Sequence, residues 1–307
     1  MTPLQRYIAE EIATDHVEGL LSRREAMRRL GMLGLGTPAA VALLAACAGK
    51  AEQSGTPPTS SGASGTSSVS GAPAGPPPGS ATALPTTAIT FPGPQGRTLQ
   101  AAWAEAAQPR GGVLVIHENK GLTDHIRSIA GRFAGIGYHA LAVDLLSEEG
   151  GTATFTDPAA ATAALARLPQ ERFVADLRSG VAELQRRTPG KKLAATGFCF
   201  GGGLTWLLLT SGTPELAAAT PFYGPFPDNG EITTEAAVLG IYGALDSRVD
   251  ASRPAAEAAL DKVGAPHESF VAEGADHAFF NDTGPRYNAT AAAEAWRRVT
   301  DWYARYL

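Results

Sequence analysis

The chain has 307 residues, 44% hydrophobic and 18% charged, with a formal net charge of −5. That balance describes a soluble globular protein with room for one large domain or two small ones, and it offers no basic excess for a nucleic-acid partner. Beyond residue 50 no apolar run reaches the ~18 residues of a membrane span.

In chain order, a basic cluster (Arg23, Arg24, Arg28, Arg29) leads into an apolar stretch from Leu30 that ends Leu44-Ala45-Ala46-Cys47. Basic flank, apolar run and small-residue site are the parts of an export signal. The paired arginines after Ser22 resemble the start of a twin-arginine signal, and Leu-Ala-Ala-Cys resembles a lipobox with Cys47 as the lipidated residue. Residues 1–47 are therefore expected to be an export signal that leaves a membrane-anchored lipoprotein, with a lipid anchor as its only membrane contact. The alternative is a cytoplasmic protein that opens on a short amphipathic helix, Cys47 being incidental. Residues 48–85 are dominated by Gly, Ser, Thr, Pro and Ala, including G-T-P-P-T-S-S-G-A-S-G-T-S-S. Such a composition buries too little apolar surface to offset its ordering entropy, so it is expected to be a disordered tether.

From residue 86 to 307 short apolar runs alternate with amphipathic stretches. Strands are expected at 87–91 and 99–106, an antiparallel pair, then at 112–118, 139–145, 192–198, 217–224, 237–243 and 267–273. Helices are expected near 123–135, 170–187, 201–210, 251–263 and 289–305. This order predicts one α/β domain with a mostly parallel sheet and helices on both faces. The segment 147–158 reads as a loop over the site.

The chain has two cysteines, and if Cys47 carries lipid, Cys199 has no disulfide partner within the chain. Cys199 sits in G-F-C-F-G, between an apolar run and a helix that starts among glycines. G-x-C-x-G is the cysteine form of a nucleophile elbow, a strained strand-to-helix turn whose close neighbours must lack side chains. The helix N-terminus behind it favours a thiolate. An inert cysteine in a glycine-rich packing turn is the competing account. On such a fold an acid and a histidine follow on later loops, and Asp246 and His277 stand at those places, at the carboxyl edge of the sheet. Asp246 could instead cap the next helix, with Asp250 and Asp276 as rival acids. His267 begins a strand at the wrong edge, His16 lies in the leader, and His125 and His139 flank the first crossover helix. The run V-L-V-I-H-E ends at Glu118, on the loop that supplies part of an oxyanion hole in such folds. His117 is expected on the opposite face by strand alternation, and Glu118 could equally pair with Arg127 or Lys120.

Taken together, H-E-N-x-G-L, G-F-C-F-G-G and D-H-A-F resemble the dienelactone hydrolase family of α/β-hydrolases over residues 86–307. The resemblance implies an α/β-hydrolase fold and a Cys199–Asp246–His277 triad. It also implies that Glu118 contacts the resting thiol and helps convert it to thiolate. The backbone amides of Phe200 and Asn119 would form the oxyanion hole. It further implies hydrolysis of a small ester or lactone through an acyl-thioester, with no cofactor and no metal. Members that act on the dienelactone hold its carboxylate with arginines, one of them shortly after the histidine. Asn281 stands at that place here, Asp282 beside it is expected to repel an anion, and Arg286 is further on. The alternatives are a non-catalytic ligand-binding lipoprotein on the same fold and a serine-type polyesterase with cysteine substituted.

Overall fold

The computed structural model describes residues 1–53 and 75–307. Eight strands form one sheet: β1 (Thr87–Pro92), β2 (Thr98–Ala104), β3 (Gly111–Ile116), β4 (Tyr138–Asp144), β5 (Leu193–Phe198), β6 (Leu216–Phe222), β7 (Ala237–Gly243) and β8 (His267–Ala272). Among the described residues there are ten helices: α1 (Pro3–Val17), α2 (Arg23–Met32), α3 (Thr37–Gln53), α4 (Asp124–Gly135), α5 (Pro158–Arg167), α6 (Gln170–Arg187), α7 (Phe200–Thr210), α8 (Ser247–Asp250), α9 (Arg253–Val263) and α10 (Ala289–Tyr306). The chain divides into two compact units, Met1–Pro73 with Phe155–Leu168, and Ala74–Thr154 with Pro169–Leu307.

In the larger unit the strand order is β1-β2-β4-β3-β5-β6-β7-β8. Strands β1, β2 and β4 pair antiparallel and the others parallel. Strands β3, β4, β5 and β7 are buried along their whole length, whereas the edge strands β1 and β8 are partly exposed. That is why the central strands read as unbroken apolar runs: parallel strands covered on both faces have no polar side to show. Each fully buried Val, Leu or Ile contributes about 1.5–3 kcal/mol. Phe133 of α4 packs against Trp296 and Tyr303 of α10, with ring centroids at 5.0 and 5.8 Å. Across the sheet, Phe173 of α6 meets Phe200 of α7 at 5.3 Å. The mostly parallel sheet with helices on both faces is thus the observed architecture.

Composition assigns residues 48–85 to a tether; residues 54–74 of it lie outside the described residues. Its last part makes contacts within the larger unit. Leu84 N–H donates to Gly131 O at 3.0 Å, Arg132 Nη1 donates to Pro78 O at 3.3 Å, and Gly79 lies so close to Trp296 that a Cβ there would meet the indole.

The smaller unit packs α1, α2, α3 and α5 around Ile8, Ile12, Leu30, Leu33, Leu44, Ala163 and Ala166. Thr2 and Gln5 form a reciprocal cap on α1, and Asp157 caps α5 while pairing with Arg28 at 2.8 Å. Cys47 lies within α3 and packs against the same cluster. No described helix is long and apolar enough to cross a membrane.

Candidate active site

Cys199 stands between β5 and α7 with φ 55° and ψ −117°, in a region that L-residues enter only under constraint. The turn is held because Cys199 N–H donates to Phe222 O at 3.0 Å and Gly203 N–H to Cys199 O at 3.1 Å. A Cβ on Gly197 would strike the carbonyl of Gly201, one on Gly201 the carbonyl of Ile116, and one on Gly202 the carbonyl of Phe222. Gly203 differs: its nearest neighbour would be a Pro225 side-chain atom at 3.6 Å, an ordinary contact. Three of the glycines around the cysteine answer to close packing, and the fourth does not.

Asp246 and His277 come together at the C-terminal ends of β7 and β8. Leu245 N–H donates to Ala275 O at 2.9 Å, and Gly243 lies against the backbone carbonyls of Ala275 and Asp276, so the two loops are stitched together. Asp246 uses both oxygens: Oδ1 accepts from Val249 N–H at 3.2 Å, capping α8, and Oδ2 accepts from His277 Nδ1 at 2.5 Å. Cap and histidine partner are therefore one residue. The rival acids are engaged elsewhere, Asp250 with Arg253 at 2.7 Å and Asp276 with the backbone N–H of His277 at 2.6 Å. Cys199 Sγ lies within 4.8 Å of a His277 ring nitrogen and shares a hydrogen bond with the ring.

The electrostatics favour a charged pair. Burial alone would push His277 down, but Asp246, the Cys199 sulfur and their hydrogen bonds more than offset it, holding the ring well above its ordinary value. Burial likewise opposes the charge on Asp246, yet His277 and the Val249 amide hold its carboxyl low.

Glu118 and His117 sit in the turn after β3, which ends at Ile116, so strand alternation does not govern them. His117 Nδ1 donates to Glu118 O at 2.7 Å, and its Nε2 accepts from Leu145 N–H at 3.1 Å. Burial pushes this histidine down, consistent with a neutral ring that donates on one side and accepts on the other. In a trans peptide the carbonyl and the following N–H point opposite ways. By holding the Glu118 carbonyl, together with the Gly121 N–H at 3.2 Å, His117 therefore helps fix the direction of the Asn119 N–H. Asn119 itself is buried, and Phe200 opens α7, where the first N–H groups have no intrahelical partner.

Among the described residues no lysine or arginine forms an ion pair with Glu118, so neither Arg127 nor Lys120 is its partner. Glu118 Oε2 instead accepts from Asn281 Nδ2 at 2.7 Å, while Oε1 is buried with no hydrogen-bond partner. The expected repulsion from Asp282 is corrected by its surroundings: its carboxylate pairs with Arg132 at 2.5 Å and with His125 Nδ1 at 2.7 Å, and these hold its pKa at about 2 against the effect of burial.

Two features were not legible from motifs. Tyr223, at φ 34°, stands edge-on to His277 with centroids at 5.2 Å. Burial, then the charges of Glu118 and Cys199, push its phenol well above the ordinary range, so it stays protonated. Tyr223 and Ala278 (φ 60°) add left-handed backbone around the same histidine, a concentration of strain at one site. Within 147–158, Thr152 ties the loop down: its N–H and Oγ1 donate to Asp144 at 2.7 and 2.8 Å, and Leu122 N–H donates to Thr152 Oγ1 at 2.8 Å.

Residues 99–307 match the dienelactone hydrolase family. A protein of Escherichia coli O157:H7 named "putative carboxymethylenebutenolidase" is 34% identical over 230 residues, 69% of this chain and 84% of that one. The crystal structure of a "putative dienelactone hydrolase" from Klebsiella pneumoniae is similar with a TM-score of 0.61 at 29% identity, over 73% of this chain and all of that one. A dienelactone hydrolase-like promiscuous phosphotriesterase from metagenomic libraries gives a TM-score of 0.61 at 26% identity, over 73% of this chain and 99% of that one.

Proposed function

Because this chain belongs to the dienelactone hydrolase family and is a hydrolase acting on ester bonds, we propose that it cleaves a small ester or lactone through Cys199. The observation that carries the reading is the line Asp246 Oδ2, His277 Nδ1, then Cys199 Sγ beside the ring on a strained turn. The thiol proton passes to His277, whose charge Asp246 stabilises, and the thiolate attacks the carbonyl carbon. A C–S bond forms, and the N–H groups of Phe200 and Asn119 receive the oxyanion, each worth about 3–4 kcal/mol. Collapse breaks the C–O bond and the leaving alkoxide takes the proton from His277. His277 next takes a proton from water, which attacks the thioester, breaks the C–S bond and returns the thiolate. Glu118, on the turn after β3, assists conversion of the resting thiol to the nucleophile, the role that the resemblance implies for it. The reaction as written needs no metal or redox group.

The test is turnover of p-nitrophenyl acetate and of dienelactone by the full chain and by Cys199→Ala. The expected loss is at least about a thousandfold in kcat. Equal rates at the uncatalysed background would overturn the catalytic reading for these substrates and favour a ligand-binding role, while equal rates above background would overturn the thiol mechanism alone.

We propose also that residues 1–47 direct export and that Cys47 is lipidated. The order of basic flank, apolar stretch and Leu-Ala-Ala-Cys supports this. Since Cys47 lies in α3, processing requires that end of the helix to open. Intact mass of the membrane-fraction protein, compared with Cys47→Ala, tests it: a full-length, unacylated chain in the cytoplasmic fraction is the outcome against it.

A further inference from the structure

The clamp on Glu118 is built from uncharged groups. Asn281 Oδ1 accepts from Thr283 N–H at 3.0 Å and from Thr283 Oγ1 at 2.7 Å. The backbone N–H can only donate, so it identifies the oxygen end of the amide, and the NH2 end must face Glu118 Oε2 at 2.7 Å. Reversing the amide would set a carbonyl against a carboxylate and an NH2 group against the Thr283 N–H. Glu118 is 7% exposed, and its other oxygen, Oε1, is buried with no hydrogen-bond partner. After burial, Glu118 and then Cys199 contribute to raising the Tyr223 phenol. Two arginines of the neighbouring elements are paired with other acids, Arg286 with Asp276 and Arg132 with Asp282.

We propose that Asn281, oriented by Thr283, is the positioning residue for Glu118, and that this uncharged clamp makes the site select neutral esters over carboxylate-bearing ones. The inference rests on the ester-hydrolase reading above. A hydrogen bond from an amide fixes the carboxylate in place without cancelling its charge, whereas an arginine there would do both. An incoming acyl group that carries its own carboxylate meets a like charge in a buried site, worth about tenfold or more in kcat/KM. A neutral acyl group meets none.

The full chain is assayed with p-nitrophenyl hexanoate and with mono-p-nitrophenyl adipate, which differ by a terminal carboxylate. The wild type is expected to favour the hexanoate by about tenfold or more. Asn281→Arg is expected to narrow that ratio by a comparable factor, through KM for the adipate. Thr283→Val, which removes the hydroxyl donor and leaves the backbone N–H as the one remaining anchor on that end of the amide, is expected to lower kcat on the hexanoate with KM little changed, and Thr283→Ser to restore it. That pair keeps the test open should Asn281→Arg fail to fold. A wild-type ratio near one, or Asn281→Arg and wild type alike, would overturn the clamp's role in selection. Equal kcat in Thr283→Val and wild type would overturn its role in positioning. Cys199→Ala in the same assay separates the two levels: hydrolysis that survives it overturns the nucleophile, while a silent Cys199→Ala with a flat ratio overturns the clamp alone.

Discussion

The turn around Cys199 and the pocket around Glu118 are built by opposite means. At the turn, close packing does the work: Gly197, Gly201 and Gly202 exist so that backbone can lie on backbone, and the partners of Gly197 are Gly201 and Thr205, a few residues on. At Glu118 the decisive partner, Asn281, is 163 residues away and acts through one hydrogen bond. A steric device leaves glycines in the sequence for anyone to read, even at Gly201 and Gly202, where the backbone they admit is that of Ile116 and Phe222. A long-range polar one leaves only an asparagine, which looks like any loop residue.

The sharpest way to break this contrast is at the junction of the two, the histidine. Asp246→Asn preserves shape but removes the charge that holds His277 high, and kcat is expected to fall by about 10³–10⁴. The same variant has a pH signature. His277 is raised in the folded state, so its contribution to stability is full below the unfolded value near 6.5 and is lost as pH rises through the folded value. Asp246 is lowered, so its contribution is present above about 3.9 and is lost as pH falls. Denaturant midpoints should therefore show the wild type's advantage over Asp246→Asn between these limits and shrinking at alkaline pH. A constant difference across pH would mean the pair is not charged in the native protein.

His117→Phe comes next in size. The ring shape stays, but Leu145 N–H loses its acceptor and the Glu118 carbonyl keeps only the Gly121 N–H at 3.2 Å, so the Asn119 peptide is held by one bond instead of two. An oxyanion donor that drifts from its target costs about 10²–10³ in kcat, with KM near the wild-type value. A variant that loses stability yet keeps kcat would confine His117 to a packing role.

The same contrast explains what the sequence made legible. The central strands are readable because burial on both faces leaves apolar runs with sharp ends, the edge strands β1 and β8 show as mixed runs beside them, and the order Cys199, Asp246, His277 follows from those strand ends. Helix α5 was missed. Its Pro158–Arg167 segment is mostly alanine with one leucine, and its apolar partners Ile8, Ile12 and Leu30 lie far away in the chain. Residues 1–47 read as basic flank and apolar run, a pattern that an exported leader and a packed helical unit share. Asp282 was misjudged for a related reason: its charge is visible in the sequence, while Arg132 and His125, which satisfy it, come from another element.

The smallest effects separate necessary glycines from incidental ones. Gly202→Ala drives a methyl into the Phe222 carbonyl and the Gly224 backbone, and since neither is a flexible side chain the cost should be about 1–3 kcal/mol, with activity falling as the turn distorts. Gly203→Ala, one residue on, meets nothing nearer than Pro225 at 3.6 Å. It stands in the first turn of α7, and an alanine there loses less backbone entropy than glycine on folding. It should raise stability by up to about 1 kcal/mol and leave kcat within a factor of two or so. Thermal melts of the two variants beside the wild type, with rates on one neutral ester, decide the matter. If Gly203→Ala is as damaging as Gly202→Ala, the glycines act as a flexible hinge. If only Gly202→Ala is damaging, they act as clearance for a fixed turn, which is what the packing around Cys199 requires.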